Sequence, residues 1–127
     1  MSIPNPKVLL VEDDPFMISL LSEHLIKSGF EVANATDGEK AVSQFRNSRP
    51  DIMIFDIIMP RKNGIEALRE IRGLEGGKDV PAIILSNLEE SSFVTAAEEL
   101  GVKAYLVKAN VQLPEVVDKI KEILGKR

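Results

Sequence analysis

Five short apolar runs, each followed by a longer segment of helical period, are the feature that most restricts the fold of this chain. Short apolar runs suit strands that are buried on both faces, and the segments between them are long enough for helices that cross from one parallel strand to the next. The pattern predicts one α/β domain over residues 1–127, with a doubly wound, five-stranded parallel sheet. The runs lie near residues 7–11, 31–35, 51–55, 81–85 and 104–107.

Capping signals mark where the helical segments begin and end. The first helix is predicted to open with Asp14 as its N-cap and to stop at Gly29. A capping box from Thr36 to Glu39 is predicted to start the second helix. The last three helices follow from apolar stripes at helical spacing. Five βα units account for the chain, and no output domain is expected in it.

Polar side chains stand at the carboxyl ends of four predicted strands. Asp56 ends one apolar run, and Glu12 and Asp13 end another. Two further runs end in the hydroxyl of Ser86 and the amine of Lys108. Sites in open parallel sheets are built at the carboxyl edge, and carboxylates gathered there need protonation or a cation. We therefore expect a site at this edge, with acids of the kind that bind Mg²⁺.

The composition excludes several classes of function. The net charge is -4 and basic residues form no cluster, which argues against nucleic-acid and membrane partners. The chain has no cysteine and one histidine, His24, so disulfides and the usual zinc sites are excluded. No apolar run approaches the length of a membrane span, and the first residues do not resemble a signal peptide. A cytoplasmic location is expected.

Five separated features together define a family resemblance. They are the Val-Glu-Asp-Asp-Pro run at 11–15, Asp56 followed by Met59, Pro60 and Gly64, Ser86 after the fourth strand, and the run from Tyr105 to Lys108. With these features the chain resembles a receiver domain of the two-component response regulators over its whole length. The resemblance implies a flavodoxin-like (βα)5 fold with strand order 2-1-3-4-5. It also implies a phosphorylatable signalling domain rather than an enzyme.

The resemblance assigns roles around one aspartate. Asp56 would be the phosphoacceptor, and Asp13 would be a direct ligand of Mg²⁺. Glu12 would act mainly through a water bound to the metal, and the carbonyl of Ile58 would complete the protein's share of the coordination. Mg²⁺ is the cofactor that this set implies.

Three further residues receive roles from the same resemblance. Lys108 would bridge to the phosphoryl group, and Ser86 would be drawn inward to bond it. Tyr105 would report this change by moving from an exposed to a buried rotamer. The alternative for Tyr105 is an aromatic side chain that only packs at the rim of the sheet.

Two positions depart from the family pattern. The family commonly has a proline after the lysine, in a cis peptide, whereas Ala109 follows Lys108 here. The family usually has alanine or glycine after the switch hydroxyl, whereas this chain has Asn87. We expect Asn87 either to narrow the pocket or to bond the phosphoryl group, and the geometry of the Lys108–Ala109 peptide stays open.

The partners also follow from the resemblance. A histidine kinase or a histidine phosphotransfer protein would supply the phosphoryl group, and an unidentified downstream protein would receive the signal. Phosphorylation would change the face made by the fourth helix, the fifth strand and the fifth helix, which is also a candidate surface for a homodimer.

Three alternatives remain. A phosphatase of the haloacid dehalogenase kind also uses a strand-end aspartate, a lysine and Mg²⁺, but it needs a second acid two residues on, where this chain has Ile58. A flavodoxin-like cofactor protein needs a glycine-rich or hydroxyl-rich phosphate loop, whereas acids occupy 12–14. A receiver that belongs to a larger regulator or hybrid kinase would be distinguished by the length of the source gene.

Overall fold

The computed structural model describes residues 5–125, which form five strands and five α-helices in alternation. The strands are β1 (Lys7–Val11), β2 (Glu31–Ala35), β3 (Ile52–Phe55), β4 (Ala82–Ser86) and β5 (Ala104–Val107). The helices are α1 (Pro15–Lys27), α2 (Gly38–Asn47), α3 (Gly64–Arg72), α4 (Ser91–Glu99) and α5 (Leu113–Gly125), and a single 3₁₀ turn covers Lys108–Asn110. Each apolar run of the sequence therefore became a strand.

The strands form one parallel sheet in the order β2-β1-β3-β4-β5, which confirms the predicted topology. The central strands are in register so that Val11 is opposite Phe55 and Ser86 is opposite Val107. The final residues of strands paired in this way lie side by side. The residues that follow them therefore meet at one edge of the sheet.

Two apolar layers enclose the sheet, because successive side chains of a strand point to opposite faces. Leu9 and Val11 pack with residues of α2, α3 and α4, whereas Val8 and Leu10 pack with residues of α1 and α5. All residues of β3 and β4 are buried, which explains their unbroken apolar sequences. A fully buried aliphatic side chain stabilises the fold by about 1.5–3 kcal/mol, so the two layers hold the strand ends firmly in place.

Helix starts agree with the sequence prediction at α1 and differ at α2. The side chain of Asp14 accepts a hydrogen bond from the amide of Phe16, as an N-cap does. The capping box predicted from Thr36 to Glu39 is wrong, because Asp37 is the N-cap and accepts from the amide of Lys40. Thr36 lies one residue too early, and its hydroxyl instead accepts from the side-chain amine of Lys40.

The capping box of this fold lies at α3. The side chain of Asn63 accepts from the amide of Glu66, and the Glu66 carboxylate accepts from the amide of Asn63. This reciprocal pair fixes the start of the helix that follows the β3 strand end.

Two backbone features bear on the sequence analysis. Within residues 5–125 there is no cis peptide bond, so the peptide between Lys108 and Ala109 is trans. The longest α-helices have 13 residues, and none in the described part of the chain is long and apolar enough to cross a membrane.

Candidate functional site

Three carboxylates meet at the carboxyl edge of the sheet. Glu12 and Asp13 follow β1, and Asp56 follows β3, the neighbouring strand. One oxygen from each of the three carboxylates lies within 4.8 Å of the others. The backbone holds this arrangement, because the amide of Asp56 donates to the carbonyl of Val11 at 2.9 Å. The adjacency of β1 and β3 thus produces the acid cluster.

The three acids differ in their surroundings. Glu12 is buried, with 2% of its side chain exposed, whereas Asp13 is exposed to solvent. Burial raises the pKa of the Glu12 carboxyl, and hydrogen bonds from Lys108 and the amide of Asp14 act in the opposite direction. One carboxylate oxygen of Asp56, Oδ1, accepts a 2.7 Å bond from the amide of Ile57.

Lys108 lies between two of these acids. Its Nζ atom is 2.7 Å from Oε1 of Glu12 and 2.9 Å from Oδ2 of Asp56. Burial alone would lower the pKa of Lys108, but the bonds to the two carboxylates outweigh it and raise the pKa. The ammonium group is therefore charged at neutral pH and offsets part of the repulsion among the acids.

The donor set fits a hard divalent cation. Mg²⁺ prefers carboxylate, carbonyl and water oxygens, and it is usually held by one or two protein carboxylates. Glu12, Asp13 and Asp56 supply such oxygens within reach of one another. The side chain of Ile58, two residues after Asp56, is 61% exposed, so a role for this residue in binding would fall to its backbone.

Ser86 and Tyr105 both contact the loop between β4 and α4. Ser86 is buried, and its Oγ accepts a 3.3 Å bond from the amide of Leu88. The hydroxyl of Tyr105 donates to the carbonyl of Leu88 at 2.5 Å. Burial raises the pKa of Tyr105, so its hydroxyl keeps its proton at neutral pH. Both side chains therefore secure the same residue of this loop.

Asn87 makes a contact that the sequence analysis does not suggest. Its side chain is exposed, and Oδ1 accepts a 2.9 Å hydrogen bond from the amide of Ala109. The bond uses the carbonyl oxygen of the Asn87 side chain to join the β4–α4 loop to the turn that contains Lys108.

An ion pair that the sequence analysis missed supports the Asp56 loop. The carboxylate of Asp37 has 1% exposure, and its Oδ2 lies 2.8 Å from Nε and 2.7 Å from Nη2 of Arg61. Arg61 has a left-handed backbone, with φ of 67°. The bond from the Lys40 amide, with the Arg61 pair, lowers the pKa of Asp37. From the sequence, Arg61 is expected to be an ordinary surface arginine, because no local pattern indicates that it pairs with Asp37.

Glycine at two positions lets backbones approach closely beside Asp56. The amide of Gly64 donates to the carbonyl of Ile57, and a Cβ atom at 64 would overlap the carbonyl oxygen of Asp56. The amide of Gly38 donates to the carbonyl of Lys62, which a Cβ atom at 38 would also overlap. The starts of α2 and α3 are therefore both pressed against the loop that follows Asp56.

Comparisons with known proteins show which family the chain belongs to. The family described as "Response regulator receiver domain" matches residues 8–121, and the chain belongs to it. It is 37% identical to the transcriptional regulatory protein PrrA of Mycobacterium tuberculosis over 125 residues, which are 98% of this chain and 52% of PrrA. The chain thus spans about half the length of that relative.

Shorter relatives match over most of both chains. The chemotaxis protein CheY of Thermotoga maritima is 37% identical over 103 residues, which are 80% of this chain and 84% of CheY. The structure is similar to the receiver domain of a sensor histidine kinase from Pseudomonas aeruginosa, with a TM-score of 0.86 and 29% identity. That match covers 95% of this chain and 98% of the other. The Pseudomonas structure has a magnesium ion coordinated in its active site cleft.

Proposed function

We propose that this chain accepts a phosphoryl group on Asp56 from a histidine kinase or a histidine phosphotransfer protein, with Mg²⁺, and passes the signal to a protein partner by contact. The observation that supports it most is the position of Lys108 between Glu12 and Asp56, beside the exposed Asp13. Such a group of acids with one cation suits the transfer of a negatively charged phosphoryl group.

In the proposed transfer, a carboxylate oxygen of Asp56 forms a bond to phosphorus while the bond from phosphorus to the donor's imidazole nitrogen breaks. The electron pair of the broken bond stays on the imidazole, which takes a proton. Lys108 would pair with one phosphoryl oxygen, and Ser86 would donate to another. Glu12, Asp13, Asp56 and the Ile58 carbonyl would hold Mg²⁺, which supplies positive charge to the transferring oxygens.

The switch would start at Ser86. Its Oγ accepts from the Leu88 amide, so a turn of the hydroxyl toward a phosphoryl group would release that amide. Tyr105 bonds the carbonyl of the same residue and lies on β5, so the change would reach the face made by α4, β5 and α5. This face would then change its affinity for the downstream protein or for a second copy of the chain.

The phosphatase alternative receives no support from the site. It requires a second acid two residues after the nucleophile, and that position holds the exposed, apolar Ile58. Membership of the receiver family argues in the same direction. Whether the receiver acts alone or within a larger regulator is distinguished by the length of the source gene, and the cytoplasmic location stays a prediction.

The test is the intact mass of the protein after incubation with Mg²⁺ and acetyl phosphate. We expect the wild type to gain one phosphoryl group and Asp56→Asn to gain none, because the amide keeps the shape of the carboxylate and loses the nucleophile. Asp79→Asn is the matched control, because Asp79 is exposed and precedes the start of β4, at the other edge of the sheet. Equal labelling of Asp56→Asn and wild type would refute the assignment.

A further inference from the structure

We propose that Asn87 is a positioning residue for Lys108 and acts through its hydrogen bond to the amide of Ala109. The proposal rests on the function proposed above, in which Lys108 pairs with the phosphoryl group. It assigns a role to a side chain that lies on the surface and outside the acid cluster.

The bond continues the pairing of β4 and β5 past the end of the sheet. The last pair in register is Ser86 with Val107. Directly beyond it, Oδ1 of Asn87 accepts from the amide of Ala109 at 2.9 Å. The bond therefore joins the residue after Ser86 to the residue after Lys108.

The turn that carries Lys108 has little else to fix it. Residues 108–110 form a single 3₁₀ turn without a buried residue, and Ala109 and Asn110 are exposed. Isolated 3₁₀ turns have poor hydrogen-bond geometry, and the nearest contact with the apolar layers after this turn is made by Val111 and not by a residue of the turn itself. A bond to the amide next to Lys108 restrains the backbone from which the lysine side chain reaches Glu12 and Asp56.

The bond also requires an N–H group at position 109. Any residue except proline supplies one, and proline would leave Asn87 without this donor. Asn87 and Ala109 therefore act as a pair, so that a change at either position should have the same consequence. This reciprocity assigns the effect to the bond and not to either residue alone.

The first experiment measures the turn itself, without metal or phosphodonor. In Asn87→Ala we expect the Ala109 amide to exchange with solvent roughly three to ten times faster, as the loss of one hydrogen bond implies. The side-chain ammonium signal of Lys108, followed by NMR, should broaden or shift. Asn87→Asp keeps an acceptor oxygen and should retain the amide protection, and Asn110→Ala in the same exposed turn is the control. Unchanged Ala109 and Lys108 signals in Asn87→Ala would overturn the proposal.

The second experiment measures the consequence for the site. Labelling of Asn87→Ala by acetyl phosphate with Mg²⁺ should be roughly three to ten times slower, whereas Mg²⁺ affinity should stay as in the wild type and the urea midpoint should fall only by the small amount that one exposed hydrogen bond accounts for. Ala109→Pro removes the donor and also restricts the backbone of Lys108, so it should slow labelling, and Asn87→Ala should add nothing in the Ala109→Pro background. Additive effects, or an equal loss of Mg²⁺ affinity, would count against positioning. A wild type that is never labelled would refute the phosphoacceptor function instead, and the NMR readout would still decide the role of Asn87.

Discussion

The loop that follows Asp56 and the loop that follows Ser86 leave the same edge of the sheet, but different kinds of contact hold them in place. The loop over 57–63 is held by groups that are buried or in close backbone contact. The pair of Asp37 with Arg61 fixes its middle, and the contact of Gly64 with the Asp56 carbonyl fixes its end. The α3 helix that follows begins with a complete capping box.

The loop over 87–90 is held by separate hydrogen bonds and by the side chain of Leu88, which packs against the core. Leu88 is bonded by Ser86 and Tyr105, and Asn87 is bonded by the Ala109 amide. The α4 helix that follows has no side-chain hydrogen bond at its N-cap.

The difference separates two tasks within one site. Asp56, which would receive the phosphoryl group, is followed by a loop whose movement would break a buried ion pair and a close backbone contact. The residues that would respond, Ser86 of β4 and Tyr105 of β5, bond Leu88 in a loop whose rearrangement breaks about one hydrogen bond at a time. Substitutions in the first loop should therefore reduce stability, and substitutions in the second should change the response.

The largest loss of unfolding free energy is expected from Gly64→Ala. Its Cβ atom would overlap the Asp56 carbonyl, and the backbone of both elements would have to shift, at a cost of about 3 kcal/mol. Urea unfolding measures this loss. Gly125→Ala is the control, because a Cβ atom there meets nothing within 4 Å. Equal stabilities of the two variants would show that the loop yields easily.

Asp37→Ala should cost about 2 kcal/mol, since it removes both the N-cap of α2 and the partner of Arg61. Asp37→Asn keeps an acceptor for the Lys40 amide and should cost about half as much. Urea unfolding of the two variants at neutral pH separates the cap from the ion pair.

The same pair has a predicted pH dependence. The pKa of Asp37 is lowered in the folded state, so its charged form contributes stability above the ordinary aspartate pKa of about 3.9, and the contribution is lost as the pH falls through the folded value. The stability difference between wild type and Asp37→Asn should therefore shrink in acid. A difference that stays constant from neutral pH to about 3 would contradict the role of the charge.

Tyr105→Phe is expected to lower the free energy of unfolding by about 1 kcal/mol or less, because it removes one hydrogen bond to the loop over 87–90. Amide exchange should become faster over 87–90 and stay unchanged over 57–63. Hydrogen exchange measured by NMR checks both loops in one sample. Faster exchange in both would show that the two loops are not independent.

Asp13→Ala should raise the unfolding free energy without metal by about 0.5 kcal/mol, because one of three crowded carboxylates is removed. The gain is small because Lys108 already compensates Glu12 and Asp56. Mg²⁺ affinity should fall at the same time, as calorimetric titration would show. Asp79→Ala is the control outside the cluster, and a lower urea midpoint in Asp13→Ala would mean that the cluster is structural.

Ile58→Asn should leave stability within about 0.5 kcal/mol and shorten the lifetime of the phosphorylated state. The phosphorylated state decays when water attacks the phosphoryl group. An apolar side chain at 58 cannot orient that water, so slow decay is expected in the wild type. The asparagine side chain should accelerate the decay by about tenfold. Decay is followed by intact mass after the donor is removed. Ile26→Asn is matched for exposure, at 60% against 61%, and lies near the end of α1. Leu88, an apolar residue of the loop over 87–90, packs against the core and is left unchanged.

The sequence predicts the parts of this molecule that depend on local pattern and strand adjacency. Unbroken apolar runs identified the strands, and their polar final residues indicated which groups would meet at one edge. The resemblance supplied the strand order. These inferences hold because a parallel sheet brings strand ends together whatever the intervening helices contain.

The contacts between loops were not predictable in this way. The bond of Arg61 to Asp37 joins residues that are 24 apart in the chain, and neither has a local signal for the other. Thr36 and Asp37 are both good N-caps, and only the path of the chain decides between them. The amide partner of Asn87 also depends on where the Lys108 turn lies, which a single exposed asparagine does not disclose.

The exposed side chain of Ile58 has a consequence for how such a domain can be adapted. The fold makes no use of this side chain, and a coordinating role at this position would involve only the backbone. A substitution at this one position could then change the lifetime of the phosphorylated state while the sheet, the acids and the partner surface stay the same. A single scaffold could in this way serve signalling systems that need a short-lived phosphorylated state and systems that need a long-lived one.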